Sequence, residues 1–413
     1  MHSQDPCSKP GLMHPDDAIV QLLSQVETIT DSEVVLLTDA LDRILAEDLA
    51  SQIDLPPFNN SAMDGYAFSF EDLAGSNGVL TLAGNAYAGH PFGGQLKPGQ
   101  CVRIMTGAPV PAGCDTVQMQ EEAEANGDQI HINTPKAKGA NVRCRAEELC
   151  AGDKVLTSGT RIRAAEMGVL ATVGVSQVRV YRKLKVAFFS TGDELRPVGS
   201  ELAPGQIYDS NRYSIRGLLE KAGMEWLDLG VIPDSPDAIR QAFRDAASRA
   251  DVVLTSGGVS VGDADFTKQV LGEEGQITFW KLAIKPGKPF ACGRIGKALF
   301  CGLPGNPVSS MVTFQKLVWP MLRKMQGMAQ KPPLLIEAKL ASPIRKQPGR
   351  VEYQRGILSR NAQGLSVRIT GSQGSGMLTS MSLANCFVHL AQNQGDTAEG
   401  ETVLVEPFDS VLD

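Results

Sequence analysis

Glycines and carboxylates with the spacing of a ligand site occur together in the stretch 251–265. The stretch opens with a short apolar run, Val252 to Thr255, that fits one buried strand. Gly257 and Gly258 follow, and glycines allow positive φ and a close approach of backbone N–H groups to an anion such as a phosphate. The stretch ends at the carboxylate of Asp265, which suits a bound phosphate if a divalent cation such as Mg²⁺ lies between them. Alternatively, Asp265 caps the helix that follows it.

Four further strand ends carry similar residues. From Lys185 onward, predicted strands and helices alternate, which is typical of a parallel sheet with helices on both faces. Ligands bind such sheets at the carboxyl ends of the strands. Acid- or lysine-bearing turns at four of the five strand ends, with a glycine-containing turn at the fifth, favour a shared cation and phosphate ligand. Lys281, Lys285 and Lys288 supply positive charge for an oxyanion, although each alone is also explained as a solvated surface lysine. The five strand ends are Ser190-Thr-Gly-Asp-Glu194, Pro233-Asp234-Ser235, Thr255 to Asp265, Lys281 to Pro289 and Gly302-Leu-Pro-Gly-Asn-Pro307.

The elements that must position these residues follow from hydrophobic period and turn chemistry. Asp209 or Ser210 is predicted to cap one helix, and Asn306 another, with Pro307 in its first turn. The predicted strands are Val186 to Phe189, Trp226 to Val231, Val252 to Thr255, Ile277 to Trp280 and Ala298 to Cys301. The predicted helices are Asn211 to Ala222, Pro236 to Arg249 and Val308 to Met325.

The rest of the chain differs in texture. Apolar residues at helical spacing predict one helix around Leu22 and a second from Ala40 to Leu45. Short apolar runs between glycine and proline turns predict a β domain inserted after the first helices, and a β-barrel or sandwich at the C-terminal end. The sequence thus predicts a multidomain α/β protein: a central three-layer α/β domain with a mostly parallel sheet, an inserted small β domain, a helical N-terminal domain and a C-terminal β-barrel-like domain. The predicted boundaries are 1–50 with 146–181, 51–145, 182–328 and 329–413.

Composition limits the classes of function. A net charge of -7 argues against a nucleic-acid-binding surface, and no apolar run approaches the roughly 20 residues of a membrane span. The N-terminal segment lacks the apolar core of a signal peptide. The 8 cysteines form no C-x-x-C pair and the 5 histidines are scattered, which predicts reduced thiols in a cytoplasmic protein and no zinc site.

Six motifs, taken together and in order, resemble the molybdopterin molybdenumtransferase family. They are Asn60-Ser-Ala-Met-Asp-Gly-Tyr-Ala67, Met105-Thr-Gly-Ala-Pro-Val-Pro111, Ser190-Thr-Gly-Asp-Glu194, Thr255-Ser-Gly-Gly-Val-Ser-Val-Gly-Asp263, Lys285-Pro-Gly-Lys-Pro289 and Leu303-Pro-Gly-Asn-Pro307. The resemblance implies an enzyme that takes adenylylated molybdopterin and molybdate, inserts the metal with Mg²⁺ and releases AMP. It also implies an elongated homodimer with active sites shared between chains. Molybdopterin adenylyltransferase and molybdoenzyme maturation proteins are the further partners it suggests.

The resemblance also assigns residues, position by position. By this carry-over the catalytic set is Asp64, Thr106, Glu194, Asp234, Asp265, Lys281 and Lys285. The substrate-binding set is Gly257, Gly258, Ser260, Lys288, Pro304, Pro307, Arg143, Arg355 and Ser375, with Lys288, Arg355 and Ser375 matching the molybdate-binding positions. The expected Mg²⁺ ligands are Glu194, Asp234, Asp265 and Glu148.

Three of these assignments have alternatives in the sequence itself. Thr106, taken alone, is explained as an ordinary turn residue whose hydroxyl stabilises the turn. Arg143 is explained as part of a solvated cluster of charged residues. Where the family has Gly-x-Asp, this chain has Ala146-Glu147-Glu148, and the longer Glu148 side chain need not bring its carboxylate to the same ligand atom.

Two other functions compete. The α/β region from Lys185 to about Gly327 also resembles molybdopterin adenylyltransferase, an ATP-using enzyme that would need neither Asp64 nor Thr106. A non-catalytic dimeric scaffold is the second alternative, as in a related eukaryotic receptor-clustering protein. A fused scaffold would be expected to carry a long linker and a companion domain, and the sequence indicates neither.

Overall fold

The computed structural model describes residues 12–132, 137–258 and 266–408. Two predicted site residues, Ser260 and Asp265, lie outside these ranges. Within the ranges, no helix is both long enough and apolar enough to span a membrane.

A six-stranded sheet forms the centre of the fold. From edge to edge its strands are Glu225–Ile232, Lys185–Thr191, Val252–Ser256, Ala298–Leu303, Pro289–Ile295 and Gly275–Lys281. The first four pair in parallel, whereas Pro289–Ile295 is antiparallel to both of its neighbours. The other five strands therefore all end at the same edge, which confirms the predicted mostly parallel sheet.

Pro289–Ile295 is the one strand of this central sheet that was not predicted from the sequence. It follows a run of proline, glycine and lysine that is typical of a turn, and it contains Gly293, which weakens a strand pattern. A Cβ at Gly293 would lie 2.0 Å from the carbonyl oxygen of Gln276 on the adjacent strand. The glycine is therefore required by the close approach of two strands.

Alternate residues of each strand face opposite layers of helices. Phe188 packs with Ile215 in one core, and the next residue, Phe189, packs with Phe243 in the other. The helices of the first face are Pro15–Ser24, Ser210–Lys221, Pro307–Thr313 and Trp319–Met325, and those of the second are Pro236–Arg249 and Phe266–Glu274. The predicted three-layer arrangement is confirmed.

The helix predicted from Val308 to Met325 is not continuous. A π-helical turn, Phe314–Val318, separates two α-helical segments. Pro320 has no N–H for the carbonyl of Lys316 and its ring would clash with that carbonyl, so the widened turn relieves the conflict. Asn306 occupies the N-cap position as predicted, but its side chain makes no capping hydrogen bond.

The helix predicted from Ala40 to Leu45 is wrong. The chain makes only a 3₁₀ turn, Leu37–Asp39, and Asp42 then has a φ of 62°, which a right-handed helix excludes. Leu45 instead forms a β-bridge with Val180. The remaining helix of this region, Ala164–Thr172, packs through Leu170 on the core formed with Leu45.

Along the sequence, a second six-stranded sheet is inserted between these N-terminal elements. Its strand order is Thr116–Met119, Gly65–Phe68, Gln100–Ile104, Val79–Ala86, Gln129–His131 and Glu124–Asn126. A short helix, Asp72–Ser76, accompanies it. The chain before and after this sheet is joined by three antiparallel pairs: Ser32–Leu36 with Gln177–Tyr181, Leu49–Ala50 with Lys154–Leu156, and Asn60–Ser61 with Val142–Arg143. The predicted insertion of a β domain is therefore confirmed.

The C-terminal strands close into a five-stranded barrel. In order around the barrel they are Val351–Asn361, Gly364–Ile369, Ile336–Leu340, Thr402–Pro407 and Cys386–Leu390, and the last pairs again with the first. A short helix, Thr379–Leu383, precedes the strand that closes it. The two-residue strand Ile284–Lys285 pairs with Val351 and Glu352, which ties the barrel to the central sheet.

Candidate functional site

A cavity of 460 Å³ lies where the parallel strands of the central sheet end. Three strand ends supply much of its wall, and the start of helix Ser210–Lys221 supplies most of the rest. This is the edge that the sequence predicts for a ligand site. The lining residues used below are Thr191, Glu194, Asp209, Asn211, Ser256, Gly257, Gly258, Pro289, Pro304 and Pro307.

The glycines of this cavity keep the backbone accessible. Gly257 has a φ of 88°, and a Cβ there would lie 2.8 Å from the carbonyl oxygen of Thr191. A Cβ on Gly258 would lie 2.2 Å from the hydroxyl oxygen of Thr267. A side chain at either position would clash, so the wall of the cavity is bare backbone at these two residues, which suits an anion site.

Two polar residues of the cavity were not predicted as site residues. The Asn211 amide donates to the Ser256 hydroxyl at 2.6 Å and to the Gly305 carbonyl at 2.7 Å, while its own Oδ1 is buried without a partner in the described structure. Asp209 uses one carboxylate oxygen to cap its helix, and the other, Oδ2, is likewise buried and unpaired there. Sequence reasoning treated Asp209 as a helix cap. It directly follows the short strand Ile207–Tyr208, which pairs with Leu195–Arg196, the strand that begins directly after Glu194.

Three carboxylates gather beside the cavity. Glu194 lines it, and the backbone N–H of Asp234 donates to Asp193 Oδ1 at 3.4 Å. Burial raises the pKa of the Asp234 carboxyl above its usual range, and the negative charges of Asp193 and Glu194 raise it further. A bound cation would relieve this repulsion.

The described residues only partly meet the needs of a cation. Among them, no three carboxylate, histidine or cysteine groups approach closely enough to form a complete metal site. Mg²⁺ usually keeps several waters and binds one or two carboxylates together with substrate phosphates. Glu194 and Asp234 fit that incomplete, oxygen-only donor set, and Asp265 lies outside the described residues.

Two of the predicted lysines adjoin a lining residue of the cavity through the backbone, and the third pairs with the barrel. Lys281 pairs with Pro289, a lining residue, and the carbonyl of Lys288 accepts a hydrogen bond of 2.9 Å from Leu282. Lys285 instead forms a 3.0 Å ion pair with the buried Glu352 of the barrel. The structure therefore ties the Lys285 side chain to the barrel.

The predicted molybdate-binding residues of the barrel adjoin the same edge. Arg355 is 1% exposed, and its guanidinium donates to the Ser380 hydroxyl at 3.0 Å and to the Gly374 carbonyl at 3.1 Å. This burial lowers the pKa of Arg355 to about 10. The Ser375 carbonyl accepts from the N–H of Val308 at 3.0 Å, which joins the loop to the helix that begins at Pro307.

A second polar cluster lies on the inserted sheet. Asp64 Oδ1 accepts hydrogen bonds from the N–H of Thr106 at 2.7 Å and from its hydroxyl at 2.8 Å. The backbone bond and then the hydroxyl bond hold the pKa of Asp64 below its usual range. Arg103 stacks over the ring of Tyr66 at 4.9 Å and donates to the Gly65 carbonyl, so a cation lies close to the Asp64 carboxylate.

The segment after Arg143 keeps a glycine-like conformation. Ala146 has a φ of 61°, in the left-handed region that glycine favours. The carboxylate of Glu147 accepts from the N–H of Cys144 at 2.8 Å, whereas Glu148 is exposed and bonds through its backbone to Leu55. Arg143 is also exposed, on a strand paired with Asn60.

The two clusters are separate within one chain. No residue between 51 and 145 belongs to the described lining of the 460 Å³ cavity. The site residues therefore fall into one group at the edge of the central sheet, with Glu194, Asp234, Gly257, Gly258, Pro304, Pro307, Lys281, Lys288, Arg355 and Ser375, and another on or beside the inserted sheet, with Asp64, Thr106, Arg143 and Glu148.

Three family models match the chain. They are described as the MoeA N-terminal region (domain I and II) over residues 13–174, a probable molybdopterin binding domain over 187–324, and the MoeA C-terminal region (domain IV) over 337–408. A molybdopterin molybdenumtransferase of Haemophilus influenzae is 46% identical over 400 residues, covering 96% of this chain and 99% of the relative. One from a Nostoc species is 36% identical and covers 96% and 93%.

A solved structure is also similar. The crystal structure of the molybdopterin biosynthesis moeA protein from Pyrococcus horikoshii OT3 matches with a TM-score of 0.84 and 30% sequence identity. The match covers 96% of this chain and 100% of the other. The similarity therefore extends over the central sheet, the inserted sheet and the barrel together.

Proposed function

This chain belongs to the molybdopterin molybdenumtransferase family, and on that premise we propose that it inserts molybdenum from molybdate into adenylylated molybdopterin with Mg²⁺, releasing AMP. The observation that carries the proposal is the cavity at the carboxyl edge, where the bare backbone of Gly257 and Gly258 lies near acids that repel one another without a cation. We propose that the protein acts in the cytoplasm and that its four domains comprise residues 1–50 with 146–181, 51–145, 182–328 and 329–413.

The residues have distinct proposed roles. The backbone N–H of Gly258 is proposed to hold a phosphate, whereas the Gly257 N–H donates to the Leu303 carbonyl at 3.3 Å. The carboxylates of Glu194 and Asp234 are proposed to hold Mg²⁺. When bound, Mg²⁺ offsets the negative charge that develops as the phosphoanhydride bond breaks and AMP leaves. Lys281 and Lys288 attract the oxyanion substrate.

The barrel residues are proposed to fix molybdate. Two donor groups of the buried Arg355 are hydrogen-bonded to Ser380 and Gly374, and its Nη1 has no partner among the described residues. A guanidinium held in this way presents a donor in a fixed direction, which suits a tetrahedral oxyanion. Ser375 lies in the loop that connects Arg355 to the edge of the cavity.

We further propose that the active site is completed by a second copy of the chain. Asp64 and Thr106 form an organised pair with no part in the lining of the cavity of their own chain. An apolar groove of 350 Å³ beside helix Ser210–Lys221 offers a surface for a partner, and Leu383 next to it is 65% exposed. Both observations support a homodimer in which the inserted sheet of one copy serves the cavity of the other. Molybdopterin adenylyltransferase and maturation proteins are proposed as transient partners that supply substrate and accept product.

One experiment tests the reaction. The purified protein is incubated with adenylylated molybdopterin, molybdate and Mg²⁺, and AMP and molybdenum cofactor are measured. We expect both products, and no consumption of ATP, because the activated phosphate is already in the substrate. Release of pyrophosphate from ATP and molybdopterin would instead identify an adenylyltransferase, and absence of both reactions would favour a scaffold.

A further inference from the structure

A second polar cavity lies at the junction of the barrel and the central sheet. Its volume is 340 Å³, near the lower limit of typical ligand pockets. It adjoins the strand pair that ties Lys285 to Glu352. The lining residues are Lys285, Arg345, Lys346, Gln347, Pro348, Arg350, Glu352 and Asp396.

Positive charge exceeds negative charge in this pocket. Four cationic side chains face two carboxylates, a formal excess of two positive charges. The Lys285 ammonium is paired with Glu352 at 3.0 Å, and Asp396 accepts from the backbone N–H of Lys346 at 2.7 Å. In the described part of the chain, neither the Arg345 nor the Arg350 guanidinium has a hydrogen bond or ion pair.

The Lys346 ammonium is fixed rather than mobile. The residue is 5% exposed, and the ammonium donates to three backbone carbonyls, at 2.9 Å to Gln394 and at 3.3 Å to both Gln347 and Gln392. Burial lowers the pKa of Lys346, Glu352 opposes that shift, and the nearby charges of Lys285 and Arg350 lower the pKa further. The pocket therefore holds a positive charge that its own residues do not balance.

This pocket is distinct from the oxyanion position at Arg355. Glu352 and Arg355 are three residues apart on one strand, so their side chains leave opposite faces of it. Arg355 turns to Ser380 and Gly374, whereas Glu352 turns to Lys285. Arg345, Lys346 and Arg350 have no part in the predicted active site.

We propose that this basic pocket is a second oxyanion site, which binds a tetrahedral dianion, either molybdate or a phosphate group of the substrate. A dianion balances the two excess charges, and two unpaired guanidinium groups suit the bidentate recognition of a tetrahedral oxyanion. The identity of the natural ligand rests on the proposed function, but the existence of the site does not. Because Lys285 lines the pocket, an anion bound there would lie beside a predicted catalytic lysine.

The test measures binding without turnover. Sodium molybdate and inorganic phosphate are titrated separately into the purified full-length protein at constant ionic strength, and affinity and stoichiometry are read by calorimetry. The variant is Arg345→Gln with Arg350→Gln, and the control is Arg360→Gln, an exposed arginine of the same barrel outside the pocket. We expect the double variant to lose one bound oxyanion per chain, or to bind it at least about tenfold more weakly, while the control binds like wild type.

The two titrations distinguish the sources of the ligand. Loss of molybdate binding alone would identify a site for the metal oxyanion, and loss of phosphate binding would identify a site for a substrate phosphate. Equal stoichiometry and affinity in wild type and double variant, for both anions, would overturn the proposal. This readout is independent of AMP release, so failure of the proposed reaction and failure of the site give different results.

Folding of the variant is also predictable. Since the two guanidinium groups make no hydrogen bond or ion pair in the described part of the chain and repel nearby cations, their removal is expected to leave the unfolding temperature without oxyanion unchanged or slightly raised. Each single variant, Arg345→Gln or Arg350→Gln, is titrated in the same way, so that the conclusion does not depend on one protein preparation.

Discussion

At the scale of single residues, Asp234 links stability to function. Its carboxylate is partly buried beside Asp193 and Glu194, and both effects raise its pKa. A carboxyl group whose pKa is raised on folding binds its proton more tightly in the folded state. Stability therefore falls as pH rises from the unfolded value, about 3.9, through the folded value, and the unfavourable term is fully present at neutral pH. This contribution to folding stability has the opposite sign to that of a salt-bridged acid. It is expected for a carboxylate that binds a cation when the cation is absent.

We predict that Asp234→Asn stabilises the protein in the absence of Mg²⁺ at pH 7 while lowering turnover by about a hundredfold or more. Mg²⁺ should raise the unfolding temperature of wild type more than that of the variant, because the variant lacks one ligand and much of the repulsion. Thermal unfolding with and without Mg²⁺ measures this, with the exposed Asp128→Asn as the charge-matched control. An equal Mg²⁺ effect in all three proteins would remove Asp234 from the cation site.

At the scale of elements, the sequence predicted what periodicity and turn chemistry encode. The turns that carry Glu194 and Gly257 follow the strands Lys185–Thr191 and Val252–Ser256, and Asp209 caps its helix, as the pattern predicted. Elements set by contacts between distant segments were missed. The strand that contains Gly293 was missed because glycine is required there by the neighbouring carbonyl of Gln276, a contact that the sequence does not reveal. The π-helical turn before Pro320 likewise depends on the surrounding core.

The glycine loop gives a prediction at this scale. Gly257→Ala is expected to lower stability by two separate effects: the positive φ of 88° and a Cβ only 2.8 Å from the Thr191 carbonyl oxygen. Gly152→Ala is the matched control, because Gly152 has a φ of 96° but open space around its Cβ position. The control should cost about 1–2 kcal/mol of unfolding free energy, and Gly257→Ala should cost more than the control and weaken substrate binding as well.

Urea unfolding of the two variants, with the binding of adenylylated molybdopterin, separates the effects. If both variants lose the same stability, the close approach to Thr191 is relieved by a small backbone shift, and the tight loop is not what shapes the cavity.

At the scale of the whole molecule, the position of the candidate site was easier to predict than the set of residues that form it. The rule that ligands bind at the carboxyl ends of parallel strands located the cavity, since five strands of the central sheet end at one edge. That rule gives no information about which side chains of other sheets reach the edge. The structure places Lys285 against the barrel instead. It leaves Asp64 and Thr106 beside a sheet that has no residue in the described lining of the cavity of its own chain.

The shared site makes the strongest prediction about the dimer. If Asp64 of one copy and Asp234 of the other serve the same cavity, mixing inactive Asp64→Ala and inactive Asp234→Ala proteins, with exchange of subunits, rebuilds one intact site in each mixed dimer. Random exchange makes about half of the dimers mixed, and each then has one working site of two, so activity should return to about a quarter of wild type.

The matched control mixes Asp234→Ala with Glu194→Ala. These residues lie at the same cavity edge of one chain, so every mixed dimer carries one defect in each of its two sites and no activity should return. Differently tagged subunits that co-purify show that exchange has taken place in both mixtures. If both mixtures exchange and both stay inactive, Asp64 acts within its own chain, and the inserted sheet must then move toward the central sheet when substrate binds. Recovery in the first mixture alone requires the inserted sheet of one copy to reach the cavity of the other, because no site confined to a single chain gains anything from a differently mutated partner.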